Sequence, residues 1–284
     1  VRAAAPDAPP HAPLTREDLA DVVDLTLTTG QFLLEHGATS MRVEETMDLV
    51  SNALGVAKVD VLVSPNVLIV TTEDGPDFRT KARRIGHLHV HMASLHSVMQ
   101  LVASLDAGEL TRQQYRERLE AIARTPPLYS GWVVALMVGL ACTGFAAILR
   151  HTTDPSVDNP LASPATFLDL LSTFVGSTLA MRLRQWMLTL RVSLLANALV
   201  SAFAAFVIAG TVAHVVHAPH FEPCVPASVL FVVPGVSLLN AVDELLSGHL
   251  VIGLSRAVQT IMIFLAIGLA VLSANRVLTL AGLM

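Results

Sequence analysis

Charge is scarce in this chain. Only 14% of its 284 residues are Asp, Glu, Lys or Arg, against roughly one-quarter in an average soluble domain, and 53% are hydrophobic. With a mean hydropathy of +0.60, part of the chain requires a nonaqueous solvent. Basic residues are fewer than acidic ones, 18 against 23, for a net charge of -5. No Lys/Arg stripe occurs, which sets a nucleic-acid groove aside. Cysteine is nearly absent. Cys142 lies in an apolar run and Cys224 in a short polar connection, so neither a disulfide framework nor a Cys-rich metal site is expected, and both read as packing residues. Residues 1–13 are rich in Ala and Pro and lack the basic-then-apolar order of a signal peptide. They are expected to form a disordered tail, which leaves the first membrane helix to act as its own insertion signal.

The few charges are unevenly placed. Most fall between Thr15 and Arg124, and the boundary lies near Pro126-Pro127, which gives an N-terminal soluble α/β domain over 14–129 and a membrane domain over 130–284. Thr15 reads as an N-cap ahead of Asp18, and Leu19, Val22, Val23, Leu25, Leu27, Phe32, Leu33 and Leu34 recur with helical spacing until Gly37. A second helix starts near Ser40 with the stripe Val43, Met47, Val50 and Leu54, and ends at Gly55. Strands are expected over 58–64 and 67–73, joined by Pro65-Asn66, and over 78–85. Helices over 87–105 and 111–123 complete the layer. His87, His89, His91 and His96 lie close together, and His87/His91 at i,i+4 could hold a metal, but no further ligands accompany them. Solvation or helix capping is the expected role. Glu44 and Glu45 suit the positive end of the second helix. No nucleophile elbow, Walker loop or paired-carboxylate motif is present, so no enzyme, metal or cofactor is expected.

Five membrane helices are expected over 131–149, 164–181, 192–216, 225–239 and 257–274, the first free of charge and long enough for the roughly 30 Å hydrocarbon core. Arg182, Arg184 and Arg191 crowd the link between the second and third, whereas 151–163 holds Asp154 and Asp158 but no Lys or Arg. The positive-inside bias therefore predicts a cytoplasmic N-terminus and an external C-terminus. Small residues such as Ala135/Gly139 and the Gly176, Ser177, Ala180 group would let helices approach closely.

The segment Val232-Val233-Pro234-Gly235-Val236-Ser237 breaks its helix. Pro234 removes a donor and Gly235 loosens the turn, which leaves carbonyls that are tolerated where they line a protein-buried cavity. Ser237, Asn240 and Asp243 follow at spacings of three and are expected to share one face as a solute or proton path. The plain alternative is a kinked helix whose Asp243 and Glu244 lie in the interface. His249 and Arg256 would stand at the inner mouth, Arg256 as an anchor for a carboxylate or simply as an interfacial cation. Asp169, five residues into the second span, could take a proton or a solute ammonium, or reach the outer interface. Ser193 and Asn197 are candidate polar lining or interhelical glue.

These residues resemble the threonine/serine exporter family. The likeness runs through Gly37-Ala38-Thr39-Ser40-Met41-Arg42-Val43-Glu44-Glu45 and Pro126-Pro127-Leu128-Tyr129. It runs most specifically through Val233-Pro234-Gly235 leading to Asn240, Asp243, Leu245-Leu246-Ser247-Gly248 and Gly253-Leu254-Ser255-Arg256. The resemblance implies export of small polar metabolites from a bacterial inner membrane, either threonine/serine-type amino acids or a dicarboxylate such as succinate, driven by protons. Full-length members have about ten membrane helices. Five therefore imply a second, short membrane subunit or a homodimer. The rival expectation is a membrane-anchored sensor or assembly factor whose soluble domain binds a ligand.

Overall fold

The computed structural model describes residues 15–56, 58–74, 77–86, 91–126, 128–153, 164–219, 221–222 and 224–283. The expected tail, His87, His89, Asp154 and Asp158 lie outside these residues. The chain divides into two compact units. One holds the described residues up to Pro126 together with Val236–Ala257, and the other holds those from 128 to Gly235 together with the described residues after Ala257.

The first unit begins with α1 (Arg16–Glu35) and α2 (Ser40–Ala53). The Thr15 hydroxyl accepts the Asp18 N–H at 3.1 Å and starts α1. Gly37 ends it with φ 97°, a left-handed conformation that a side chain would strain. Strands β1 (Lys58–Val63), β2 (Val67–Asp74) and β3 (Asp77–Arg84) form an antiparallel sheet in that order, with Val61 opposite Val70 and Val70 opposite Lys81. Helices α3 (Met92–Asp106) and α4 (Arg112–Arg124) complete the N-terminal part. The apolar stripes meet in one core: Val22, Val23 and Leu27 of α1, Val43 and Met47 of α2, Leu68 and Val70 of β2, Val98 of α3 and Leu119 of α4. Ile252, far along the chain, belongs to the same core. Helix α3 starts at Met92, later than expected, because His91 caps it: His91 Nδ1 accepts the Ser94 N–H at 3.2 Å.

Asp24 ties α1 to β3 through ion pairs with Lys81 and, at 2.7 Å, Arg83. Burial pushes the Asp24 carboxyl up, but the hydrogen bond from Lys81 and the charges of Arg83 and Lys81 outweigh it and hold the group below the ordinary 3.8. Its folded-state value thus lies under its unfolded one. The stabilisation it gives is fully present at neutral pH and fades as the pH falls from 3.8 through the folded value. In detergent-solubilised full-length protein, the stability gap between wild type and Asp24→Asn should be largest at neutral pH and shrink in acid. A gap independent of pH would show that the ion pairs contribute nothing.

The second unit contains α5 (Gly131–Thr153), α6 (Pro164–Thr189), α7 (Leu194–Val215), the short α8 (Cys224–Ala227) and a 3-10 turn (Leu230–Val232). After the Val233-Pro234 break come α9 (Gly235–Leu246) and α10 (Leu250–Leu280). Helix α6 packs between α5 and α7, with Gly176 against Ala205 and Ala209. Among the described residues, three helices, α5, α7 and α10, are long and apolar enough to cross a membrane, or up to four if the broken pair Cys224–Val232 and Gly235–Leu246 is one span. That differs from the expected five. Helix α6 is long enough, and runs past Arg182 and Arg184 to Thr189, but it spends six buried positions on polar side chains: Thr166, Asp169, Ser172, Thr173, Ser177 and Thr178. The last helix starts at Leu250, seven residues before the expected 257, and its 31 residues make about 46 Å. Its first turns and α9 belong to the first unit, whereas the expected boundary near Pro126-Pro127 places them in the membrane domain.

Candidate functional site

Within the first unit, the loop between α1 and α2 is gripped by side chains from about two hundred residues away. Helix α2 needs help at its start, because its N-cap Thr39 makes no side-chain capping bond. Glu244 of α9 supplies it. Its Oε1 accepts the Ser40 N–H at 2.8 Å and the Ser40 hydroxyl at 2.9 Å, so a carboxylate meets the positive end of α2. At the other end of the loop, just past the negative end of α1, Asn240 Nδ2 donates to the Gly37 carbonyl at 2.9 Å and Arg256 Nη2 to the Ala38 carbonyl at 3.2 Å. Glu244 is 1% exposed, and Arg256 Nη1 stands 3.3 Å from its Oε1. His249 bridges the two glutamates, with Nδ1 3.7 Å from Glu244 and Nε2 3.4 Å from Glu44. The loop is thus held at both ends, by a carboxylate at the start of α2 and by an amide and a guanidinium just past α1.

The polar face of α9 is not the one that spacing by threes suggests. Steps of three residues drift by about 60° each on a 3.6-residue turn, so Asp243 lies about 120° from Ser237, whereas Glu244, seven residues on, lies only about 20° away. Accordingly Asp243 is exposed, Ser237 half-buried and Glu244 buried. Asn240 and Arg256 are brought together, but on the loop of the N-terminal part. Pro234 is half-buried and Gly235 exposed at the break that precedes α9. Glu244 is the residue that sequence reasoning misses, because beside Asp243 it reads as one more interfacial acid. The i,i+4 relation of Asn240 to Glu244 was the available signal.

The second unit carries its own buried charges. Arg150, near the end of α5, forms an ion pair with Asp169 of α6, their side chains 7% and 0% exposed. Helix α6 also secures the first half of the broken span at both ends. The Thr173 hydroxyl donates to the Cys224 carbonyl at 2.7 Å, and Arg184 Nη1 donates to the Phe231 carbonyl at 3.1 Å. The Phe231 carbonyl, close before the break, is therefore met by a side chain. Asn197 of α7 is buried, donates to the Arg184 carbonyl at 3.3 Å and accepts from the Ser201 hydroxyl at 3.0 Å. Cys142 and Cys224 are both buried free thiols. No group of three or more His, Cys, Asp or Glu among the described residues could hold a metal.

The family model described as "Putative threonine/serine exporter" matches residues 24–278, from α1 through the gripped loop and Glu244 to the end of α10. The chain belongs to the threonine/serine exporter family. A protein of Escherichia coli named "Probable succinate transporter subunit YjjP" is 31% identical over 265 residues, covering 92% of this chain and 96% of that one. A protein of the same name from Klebsiella aerogenes is 29% identical over 265 residues, covering 92% and 95%. The "Threonine/serine exporter" of Corynebacterium glutamicum is 26% identical over 155 residues, covering 51% of this chain and 32% of its own length. No solved structure matches. With three apolar helices of spanning length, this exporter-family member is a multi-pass membrane protein.

Proposed function

We propose that this exporter-family chain is one subunit of a proton-coupled secondary exporter of small polar metabolites, threonine/serine-type amino acids or a dicarboxylate such as succinate. It works beside a second, short membrane subunit in a bacterial inner membrane, N-terminus inside and the residues after α10 outside. The observation that carries this reading is the buried Arg150–Asp169 pair on the polar face of α6. Charges and hydroxyls inside an apolar bundle are costly, and where they are kept they mark solute or proton routes. That inward polar face also explains why composition alone passes over α6, and it supports α6 as a further crossing, for five in all. Pro234 and Gly235 would serve as a joint ahead of α9, while Asn240, Glu244 and Arg256 hold the α1–α2 loop. Ser237 and Asp243 remain candidates for the same route. A membrane-anchored sensor would need one apolar helix and no buried ion pair in its bundle.

The test is efflux from proteoliposomes loaded with labelled threonine, serine or succinate, reconstituted with and without a candidate short membrane subunit co-purified with this chain. Outward flux of one solute class is expected, raised by an inward-directed proton gradient and dependent on the partner chain. Flux of none of the three with both chains present would overturn the reading.

A further inference from the structure

Arg150 lies in the last turn of α5, and its partner Asp169 is about 8 Å along α6 from the start of that helix. Stability does not call for such a pair. The desolvation cost of two buried charges commonly equals or exceeds their attraction, and apolar residues of similar volume hold a bundle as well or better. What the pair does offer is recognition of a carboxylate. A guanidinium is a planar fork of donors that matches a carboxylate, and the group Arg150 holds is one. A second observation points to a ligand. Thr166, one turn before Asp169 and on the same side of α6, is 0% exposed, and its hydroxyl has no hydrogen-bond partner among the described residues. Of the other buried hydroxyls of α6, Thr178, about three turns further along, also lacks a partner among the described residues, whereas the three between it and Thr166 are satisfied. Ser172 donates to the Asp169 carbonyl at 2.6 Å, Ser177 to the Thr173 carbonyl at 2.6 Å, and Thr173 to Cys224.

Resting on the exporter reading above, we infer that Arg150 and Asp169 form a binding site for a zwitterionic amino acid. Arg150 receives the carboxylate, Asp169 receives the ammonium, and the Thr166 hydroxyl meets a polar group of the solute. Without a solute between them the two side chains form an ion pair with each other. A solute that brings one charge of each sign can enter between them and leave both buried charges compensated, with no covalent step and no change of protonation. A dicarboxylate brings two negative charges to one guanidinium and leaves Asp169 facing like charge, which disfavours it in this site.

The experiment compares wild type with Arg150→Leu/Asp169→Leu, Arg150→Lys and Thr166→Val, each reconstituted with the partner chain, and measures efflux of threonine, serine and succinate alongside melting in detergent. The double leucine variant is expected to insert and melt at or above the wild-type temperature, yet lose amino-acid flux on the order of 100-fold, as befits loss of a buried charge contact to the solute. Arg150→Lys should raise KM for the amino acids with a smaller change in kcat, because the ammonium keeps the charge but not the fork. Thr166→Val should raise KM without lowering the melting temperature. Wild-type flux of amino acids retained within a few-fold by the double leucine variant would make the pair structural and overturn the inference while the exporter reading stands. Wild-type flux of succinate without flux of threonine or serine would likewise overturn the zwitterion site alone. No flux of any solute by wild type would sink the exporter reading itself.

Discussion

Glu244→Ala is expected to release the α1–α2 loop and to lower the stability of the first unit by about 3–5 kcal/mol, the usual cost of removing one partner from a buried ion pair. Two losses combine. The Ser40 N–H and hydroxyl lose their acceptor at the start of α2, where a missing cap alone costs about 1 kcal/mol. Arg256, half-buried with its Nη1 facing Glu244, loses the charge that compensates it. Glu244→Gln keeps an oxygen that can accept from Ser40 but gives up the charge, so a smaller loss of about 1–3 kcal/mol is expected. Hydrogen exchange on full-length protein in detergent reads this locally: the amides of 40–43 should lose protection in Glu244→Ala, while those in the middle of α5 should not. Glu244→Leu/Arg256→Leu should recover much of the loss, since an apolar pair leaves no charge stranded. Unchanged exchange at 40–43 in Glu244→Ala would show that the carboxylate caps nothing.

Gly176→Val should prevent α6 and α7 from closing, with a cost of about 3 kcal/mol or more, at the upper end of overpacking penalties. A Cβ at Gly176 would lie 2.7 Å from Ala209 Cβ, 2.8 Å from the Ala205 carbonyl oxygen and 3.0 Å from the Ala209 nitrogen. Two of these three atoms are backbone and cannot turn aside, so the helices themselves must separate. Small residues on both sides, Ala180 on α6 and Ala202, Ala205 and Ala209 on α7, all 0% exposed, make the close approach continuous. Gly144→Ala on α5 and Gly268→Ala on α10 are the matched controls, since a Cβ there meets nothing within 4 Å. Each should stabilise its helix by roughly 0.5–1 kcal/mol through propensity. Melting of the full-length variants in detergent decides the matter: a Gly176→Val protein that melts with wild type would mean that α6 and α7 are not packed this closely.

The two predictions mark different limits of what could be read from residue order. The Gly176, Ser177, Ala180 group announces close packing by composition, and only the facing helix was missing. Glu244 announces nothing, because a glutamate after an aspartate near a helix end looks like an interfacial acid. Its partner Ser40 lies 204 positions earlier. Arg150 was hidden for a similar reason: an arginine closing an apolar run fits a membrane boundary, and its pairing with Asp169 depends on how α5 meets α6. Asp243 illustrates the opposite failure, since a spacing of three keeps neighbours on one face for one step and loses them by the second.

What the amino-acid order determined by itself is local. The period of the apolar residues fixes where helices and strands form, and Thr15 and Gly37 bound α1, because those properties depend on a few neighbouring residues and on water or lipid as the surroundings. The tertiary structure decided which charges are buried and what compensates them. It drew α9 and the first turns of α10 onto the loop that follows α1, turned the polar side of α6 inward, and set Arg150 against Asp169. A buried charge is held only by a partner of opposite sign within a few ångströms, and the chain brings such partners together from distant positions only when it folds.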